Sequence, residues 1–446
     1  MAQSLGSPLP PMAPAALPPG YQLTASGQDV LVPILAFWAI LLPAGLAIQL
    51  GEVTIPPYRF VLIVLAPFAL LEFGRRQLRL VWTDYLIMAG CLWVPLAYFM
   101  NTGIDKAVQG GGSFVIDTLG SYFIGRAYIT DVRRLRTFLV RALPGVILIA
   151  GIMAFEAFSH KLLIADLFPT RARYEKLYEI RLGMLRARAS FPHSIAAGTF
   201  MASFLSLYLL SGLPARKRWS GAIASAGAIF SGSSAAFIAL ALTAFLIAYR
   251  TFFTFVLRTR EKMLYLVYAF GAVFALLEVF TEKGAVRAII RNFTLDSRSA
   301  YYRLLIWDYG TISVANNPIF GIGDAPMPRA SWMIAETIDN HWLLLAVKYG
   351  LPTAVATFIA VIGIVWACGR NNKSLNDFDR NASNGVIFAL ASAAMIGWTV
   401  AFWANYQAWF MLLLGTAASL AHQLSNAYQA MQRSVRQPVA PAGKVA

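Results

Sequence analysis

The stretch WSGAIASAGAIFSGSSAAFIALALTAFLIAY, residues 219–249, decides how this chain is folded. It contains 31 residues without a charge, whereas one helix crosses the hydrocarbon core of a bilayer with about 20. The tetrapeptide Ser231-Gly232-Ser233-Ser234 near its centre predicts a break in the helix. The stretch would then form two short membrane helices, and its two ends, residues 219 and 249, would lie on the same side of the membrane. A single long, tilted helix is the alternative, and it would place the two ends on opposite sides.

The composition extends this membrane interpretation to the whole chain. Of the 446 residues, 58% are apolar and only 13% are charged, whereas a soluble protein carries roughly 25% charged residues. Too few charged groups remain to cover the surface of a water-soluble globule, so we expect an all-α polytopic membrane protein. Cys91 and Cys368 both lie in apolar runs, which predicts inert buried thiols rather than a disulfide framework or a metal site.

Ten further apolar runs are long enough to span and, with the two halves of 219–249, predict about 12 transmembrane helices. They fall near residues 31–50, 57–73, 82–100, 108–126, 137–158, 193–212, 263–280, 351–368, 385–404 and 407–424. The predicted order is a flexible cytoplasmic tail (1–30), spans 1–9 with an outer segment at 159–192 (31–280), a periplasmic loop (281–350), spans 10–12 (351–424) and a second cytoplasmic tail (425–446). Residues 1–30 contain no Lys or Arg and lack the cationic region of a signal peptide.

The cations of the chain indicate its orientation. There are 37 Lys and Arg against 21 Asp and Glu, a net charge of +16, which in a soluble protein suggests a nucleic-acid partner. With the N-terminus inside, most cations fall in predicted cytoplasmic segments, as the positive-inside rule requires, so we expect no nucleic-acid partner. Two outer segments break the rule: 159–192 holds seven cations and three carboxylates, and 281–341 holds six of each. The excess outer charge therefore lies before the sixth span.

The first outer segment ends in MLRARASFPHS, residues 184–194, immediately before the sixth span. Arg186 and Arg188 lie close to a predicted helix N-terminus, where the helix dipole and free N–H groups favour phosphate. His193 is adjacent to these arginines and could contact the same phosphate. The alternative is that both arginines simply contact lipid headgroups at the membrane surface.

Two carboxylates, Asp117 and Glu156, lie within predicted spans. Ionisable groups inside a membrane are costly and by default indicate a function. Asp117 could shape an acceptor cavity, or it could be solvated at the outer half of its helix.

The second outer segment contains a predicted helix followed by a glycine turn. Ser297-Arg298-Ser299 can cap a helix that runs to Ala315 and stops at Asn316-Asn317-Pro318. Arg303 and Trp307 are four residues apart and share one face of it, where the indole could stack on the guanidinium or on a sugar ring. The stretches PIFGIGD (318–324) and IDNHWLLLAVKYGL (338–351) then lead into the tenth span.

This ordered set resembles the O-antigen ligase and Wzy-type polymerase superfamily of membrane glycosyltransferases. The matching residues are Arg303, Trp307, Asn317-Pro318, Gly321-x-Gly323, Asp339-Asn340-x-x-Leu343 and Gly350-Leu351. The motif covers residues 298–351, and about twelve spans with a long outer loop late in the chain extend the likeness. The resemblance implies a GT-C-like fold in the bacterial inner membrane, with the active site facing the periplasm.

The resemblance also implies a reaction. A glycan is transferred from an undecaprenyl diphosphate carrier to an acceptor sugar hydroxyl, with inversion and without a metal or other cofactor. Family arginines hold the diphosphate, which points to Arg303 and to Arg186 or Arg188, with Arg298 as a further candidate; Trp307, Asn340 and His193 would shape the substrate site. The implied partners are the lipid-linked oligosaccharide donor, the acceptor glycan, membrane lipids and proteins of polysaccharide export or chain-length control.

Two departures from the family pattern leave roles open. Asp339 stands where the family usually has its histidine, and His341 follows two residues later. A carboxylate near cations is expected to have a depressed pKa and to be a weak, always ionised base, while a histidine works near neutral pH. We slightly favour His341 as the base and keep Asp339 as its rival; a structural histidine at a helix start is the further alternative. The helix pair carries Ser233-Ser234 where the family often has Ser-Arg, so no cation is expected from that turn.

The sequence leaves several functions open. The Asp-Asn-x-x-Leu form favours a Wzy-type polymerase of exopolysaccharide or O-antigen repeat units. The alternatives are an O-antigen ligase that transfers to lipid A core, a transporter or flippase for lipid-linked oligosaccharide, and a structural scaffold of a polysaccharide assembly complex. A transporter would need cations at the membrane midplane and broken helices in two matching halves, whereas the notable cations lie at the outer edge.

Overall fold

A computed structural model of the chain describes residues 25–50, 53–169, 178–258, 263–281, 284–292, 297–333, 337–371 and 377–436. The helices are α1 (Leu31–Ile40), α2 (Pro57–Arg75), α3 (Trp82–Thr102), α4 (Ile104–Lys106), α5 (Gly112–Val115), α6 (Ser121–Tyr128), α7 (Val132–Ser159), α8 (Leu163–Leu167), α9 (Ser194–Leu209), α10 (Ala215–Ala226), α11 (Ser234–Thr251), α12 (Met263–Phe280), α13 (Ala285–Asn292), α14 (Ser297–Asn316), α15 (His341–Tyr349), α16 (Leu351–Asn371), α17 (Asp377–Ile396) and α18 (Ala404–Arg436). Two antiparallel hairpins in these ranges pair β1 (Ile48–Leu50) with β2 (Val53–Ile55), and β3 (Ile180–Arg181) with β4 (Met184–Leu185).

The fold is that of an all-α membrane protein. In the described ranges five helices are long and apolar enough to cross a bilayer, and there are up to six if the bent pair Tyr265–Phe280 and Ala285–Asn292 forms one span. The five are α2, α3, α7, α16 and α11 with the π turn that follows it. The all-α class is therefore confirmed, whereas the count of about 12 spans stays a prediction.

The break predicted in 219–249 is present. After α10 a 3-10 turn covers Gly227–Ser231, and α11 begins at Ser234. Gly232 between them has a φ of +55°, a left-handed conformation that glycine adopts without a steric penalty. The stretch is thus two short helices rather than one long tilted one.

Three predicted spans differ from the observed helices. In 31–50 the helix ends at Ile40, because Pro43 is extended and residues 44–50 form a 3-10 turn and the strand β1. The run 108–126 is interrupted by two π-helical turns, Ala107–Gly111 and Ile116–Gly120, a feature often found at functional sites. The run 385–404 starts earlier, at Asp377, and stops at Ile396.

Both predicted tails fall largely outside the described residues. Of residues 1–30, only 25–30 are described, and Gln28–Val30 form one 3-10 turn. At the other end α18 continues to Arg436, so the described part of 425–446 is helical.

The core lies where α6, α9, α17 and α18 meet. Trp409 of α18 is fully buried, stacks on Phe204 at 4.8 Å and donates from Nε1 to Ser203 Oγ at 2.9 Å. Because the indole buries both its ring and its one donor, it fixes α18 against α9. This contact sets the position of the segment that enters α18, which carries the candidate site.

Candidate functional site

A short segment between α17 and α18, residues 397–403 and here called the connector, holds the start of α15. The backbone N–H of His341 donates to Gly397 O at 2.7 Å, and Asn340 Nδ2 donates to Trp398 O at 2.9 Å. Phe402 N–H approaches His341 Nδ1 at 3.4 Å. The predicted motif at 339–341 is therefore built against a segment that sequence reasoning treated as the end of a span.

The connector also contacts the first outer segment. The rings of His193 and Trp403 meet edge to face, with centroids 6.3 Å apart. Trp403 and His341 line the same cavity. The residue before α9 and the residue that opens α15 therefore both contact the connector, although almost 150 residues separate them in the chain.

His341 is buried and electrically neutral. It is 1% exposed and stacks on Phe402 at 4.1 Å. Burial lowers the pKa of His341 to about 3, so the expectation of a base that works near neutral pH is wrong. Since Nδ1 faces an N–H donor, the imidazole hydrogen is assigned to Nε2, and Nε2 has no hydrogen-bond partner among the described residues.

Asp339 lies beside Arg303 of α14, with 3.9 Å between Oδ2 and the guanidinium Nε. Burial raises the pKa of Asp339 above its usual range, and Arg303 only partly offsets this effect. The expected depressed pKa is therefore wrong, because desolvation of the carboxylate outweighs its cationic neighbours. A carboxylate with a raised pKa accepts a proton more readily than an ordinary one.

Trp307, Asn340 and Arg298 are the other predicted site residues of the second outer segment. Trp307 lies 6.4 Å from the Trp398 ring of the connector. Asn340 caps α15, since its Oδ1 accepts from Leu343 N–H at 3.0 Å, so both ends of its amide serve the fold. Arg298 is in the first turn of α14, and its side chain lies outside the described part of the chain.

Arg186 is held by protein groups. It is 7% exposed, forms an ion pair with Glu179 and lies 3.4 Å from Ser231 O in the turn between α10 and α11. Burial raises the pKa of Glu179, but its hydrogen bond to Arg186 prevails and lowers it below the usual value. The Arg186 charge is therefore already neutralised.

Of Arg186 and Arg188, Arg188 is better placed to bind a phosphate. Its side chain is half-buried and donates weakly to Pro192 O at 3.4 Å. It forms no salt bridge among the described residues, and Glu156 and Asp166 attract its charge from a greater distance. Its backbone N–H and that of Ala189 both donate to Glu156 Oε2 at 2.9 Å. The intramembrane carboxylate Glu156 thus orients the loop that presents Arg188.

The start of α9 is capped by the protein itself. His193 Nδ1 accepts from Ile195 N–H at 3.1 Å, which uses one of the free donors that were expected to bind an anion. Burial and the neighbouring Arg186 lower the pKa of His193 to about 4. His193 is therefore neutral, and a phosphate here would be held by Arg188 rather than by an imidazolium.

A cavity of about 240 Å³ lies under the connector. Its wall includes His341, Phe402, Trp403, Arg59, Asp117 and Lys348. Arg59 and Lys348 were not identified from the sequence; the available signal was that Arg59 is the first cation after the outer loop at 51–58, which contains no Lys or Arg. Among the described residues, no group of three or more His, Cys, Asp or Glu could hold a metal ion.

Asp117 is paired with Arg59 rather than solvated. The guanidinium donates from Nε to Oδ1 at 2.9 Å and from Nη2 to Oδ2 at 2.6 Å, and Tyr58 OH donates to Oδ2 at 3.0 Å. This two-pronged geometry is the strong form of the Arg–carboxylate pair. It connects the second π turn to the start of α2 at the cavity wall.

The glycine motif clamps the end of α15. Gly350 has a φ of +88°, and a Cβ there would lie 1.9 Å from Ile319 O. Leu351 N–H donates to Pro318 O at 2.8 Å, and Ile322 N–H donates to Val347 O at 2.8 Å. The motif residues 317–323 and 350–351 are thus explained by backbone packing that fixes His341 and Lys348.

Fold and site together define a membrane-integral all-α protein with a polar cavity next to a family-like motif. Residues 219–358 match the family model Wzy_C, described as O-antigen ligase. This region includes the helix pair, α14 and the α15 motif, and the match confirms the resemblance to the O-antigen ligase and Wzy-type superfamily. No curated protein matches the chain. The match supports an O-antigen ligase- or polymerase-like membrane protein, and the matched family implies a glycosyltransferase-like enzyme.

Proposed function

We propose that this protein is a Wzy-type polymerase of exopolysaccharide or O-antigen repeat units in the bacterial inner membrane. It transfers a glycan from undecaprenyl diphosphate to an acceptor sugar hydroxyl at the periplasmic side, with inversion and without a metal. The observation that supports the proposal is the connector, whose Trp403 contacts His193 and whose Phe402 contacts His341.

The cations stabilise the leaving group. Negative charge builds on the diphosphate as the bond to the anomeric carbon breaks, and fixed guanidinium groups can stabilise it without reorganisation. Arg188 contributes a charge that forms no salt bridge among the described residues, and Arg303 contributes from the other side. Arg298 and Arg186 have lesser roles in this scheme, since Arg186 is bound to Glu179.

Asp339 and His341 have different roles: Asp339 accepts a proton and His341 donates a hydrogen bond. The acceptor hydroxyl must lose its proton to attack, and Asp339, with its raised pKa, takes it. His341 donates a hydrogen bond from Nε2 to a sugar oxygen in the cavity. Trp307 and His193 border the bound glycan, and Asn340 holds the start of α15 in place.

A reconstituted assay tests the proposal. The purified chain in lipid nanodiscs is given a polyprenyl-diphosphate-linked oligosaccharide, and both glycan length and released polyprenyl diphosphate are measured. We expect longer glycans together with carrier release, both lost in Arg188→Ala and retained in the control Arg216→Ala, an exposed cation of α10. Transfer onto added lipid A core would overturn the polymerase assignment in favour of a ligase. Movement of the substrate across the bilayer without carrier release would favour a transporter.

The proposed partners follow from this reaction. The donor and acceptor glycans reach the site from the membrane lipids and the periplasm. Proteins of polysaccharide export or chain-length control would receive the product. These assignments rest on the chemistry of a membrane-bound, growing polymer.

A further inference from the structure

The cavity under the connector contains a buried polar side chain, Gln407, that the reaction scheme leaves unused. Gln407 of α18 is 5% exposed, and neither Oε1 nor Nε2 of its amide has a hydrogen-bond partner in the described part of the chain. It lines the same cavity as His341, whose Nε2 is likewise without a partner there. Unpaired buried polar atoms are destabilising and rare in native proteins. We therefore expect the cavity to bind a ligand that forms hydrogen bonds with these atoms.

The charges of the cavity wall exclude a diphosphate as the best occupant. Arg59 is neutralised by Asp117, and Lys348 by Asp324, with 2.9 Å between Nζ and Oδ1. The wall thus presents carboxylates as well as cations, and a diphosphate would face Asp117 at close range. A lipid acyl chain fits no better, because it would leave the Gln407 amide and His341 Nε2 unpaired.

The remaining surfaces suit a sugar ring. Phe402, Trp403 and Tyr349 contribute aromatic surface, and Ser113 adds a hydroxyl. Ligand sites typically combine apolar and aromatic walls with a few fixed polar groups. A neutral sugar presents C–H groups to such walls and hydroxyls to an amide that can both donate and accept.

We propose that this cavity is a subsite for one uncharged sugar ring and that Gln407 recognises its hydroxyls. The proposal deepens the function proposed above and rests on it for the source of the sugar. That source is either the first sugar of the lipid-linked donor or the terminal sugar of the acceptor. The sugar contacts Gln407 and His341 Nε2, while the diphosphate stays outside, near Arg188.

Binding is tested first, without turnover. The purified full chain is titrated with methyl glycosides of glucose, galactose and N-acetylglucosamine, and with inorganic diphosphate as a charged comparison, while thermal stability is recorded. We expect at least one glycoside to stabilise the wild type, with affinity falling roughly tenfold in Gln407→Leu, as expected for one lost hydrogen bond. Gln49→Leu, the same change at an exposed glutamine, should bind like the wild type.

The opposing outcomes are distinct. The proposal is overturned if no glycoside binds, which would mean that the cavity holds only water, or if Gln407→Leu binds them as well as the wild type. It is also overturned if Gln407→Leu weakens only inorganic diphosphate. Should Gln407→Leu fail to fold, Gln407→Asn and Ser113→Ala replace it, and weaker glycoside binding by both is expected.

Kinetics then distinguish the two sources and separate this proposal from the proposed function. In the transfer assay, a raised KM for the lipid-linked donor alone assigns the subsite to the donor sugar, and a raised KM for a soluble acceptor oligosaccharide alone assigns it to the acceptor. Unchanged KM values for both overturn the subsite. Glycoside binding that depends on Gln407 in a chain without transferase activity would uphold the subsite and reject the proposed function.

Discussion

At the scale of single residues, burial rather than residue type decides which groups are charged. The sequence places His341 and Asp339 two residues apart and suggests a neutral-range base and an ionised carboxylate. In the folded chain the imidazole is enclosed by the connector and its pKa falls to about 3, while burial raises the pKa of Asp339. Composition and spacing could not show this, because the connector that buries His341 lies about 60 residues further along the chain.

The lowered pKa of His341 predicts a pH-dependent stability. Below pH 6.5, about the ordinary pKa of histidine, His341 is protonated in the unfolded chain but stays neutral in the folded chain. The free energy of unfolding therefore falls as the pH drops from about 6.5 towards 3. We expect His341→Gln to lose less thermal stability than the wild type between about pH 7 and pH 5 in the same detergent. His160→Asn, at an exposed histidine after α7, is the control. Equal losses in His341→Gln and the wild type would contradict the assignment.

The arginines are predicted to differ in effect. Arg188→Ala should lower the transfer rate by roughly 100-fold, as expected for the loss of one fixed donor to a developing anion. Arg186→Ala should chiefly lower thermal stability, since it leaves Glu179 unpaired beside the turn at Ser231. Rates and melting temperatures measured on both variants test this; a larger rate loss for Arg186→Ala would reverse the assignment.

Arg303 should tolerate no replacement. We expect Arg303→Ala to abolish polymer formation nearly completely. Arg303→Lys should rescue poorly, because an ammonium group cannot form the two-pronged contact of a guanidinium. Polymer output from cells that carry each variant at equal protein levels provides the test, and unaltered output in Arg303→Ala would favour a structural scaffold.

At the scale of elements, the sequence predicts local structure where a residue type determines the backbone conformation. The glycine at 232 and the helix from Ser297 to Asn316 follow from turn and capping patterns, and both are observed. The connector was not predicted, because residues 397–403 are apolar and continue the run from α17. Only the packing of its backbone carbonyls against Asn340 and His341 shows that it is not a helix.

The glycine clamp predicts a sharp contrast between two substitutions. Gly350→Ala should remove most of the folded protein, since its Cβ would overlap Ile319 O and its φ of +88° strains any side chain. Gly151→Ala in α7 has open space around its Cβ and should be neutral or slightly stabilising. The yield of monodisperse protein after detergent extraction distinguishes the two, and equal yields would contradict the clamp.

At the scale of the whole molecule, composition fixes the class while the site depends on contacts between distant segments. An apolar share of 58% was enough to predict a membrane protein. The motif at 298–351 was enough to predict the resemblance to the superfamily. The pairing of Arg59 with Asp117, and of His193 with Trp403, joins residues that no local pattern relates. For that reason the cavity could be found only in the folded chain.

The twelve-span topology makes a prediction for the whole chain. Single cysteines introduced at the exposed residues Tyr178 and Tyr301 should react with a membrane-impermeant maleimide applied from the periplasmic side. A cysteine at Lys217, in the first turn of α10 and on the predicted cytoplasmic side, should react only after the membrane is opened. Periplasmic labelling at Lys217 would contradict the predicted orientation.

The central claim is that two outer segments meet at the connector around one diphosphate. A cryo-electron microscopy structure of the chain with bound polyprenyl diphosphate tests it most directly. We predict density for the diphosphate between Arg188 and Arg303, beside His193 and Trp403, with the adjoining cavity free for a sugar. Diphosphate density on the predicted cytoplasmic side, or density that contacts neither arginine, would contradict the claim.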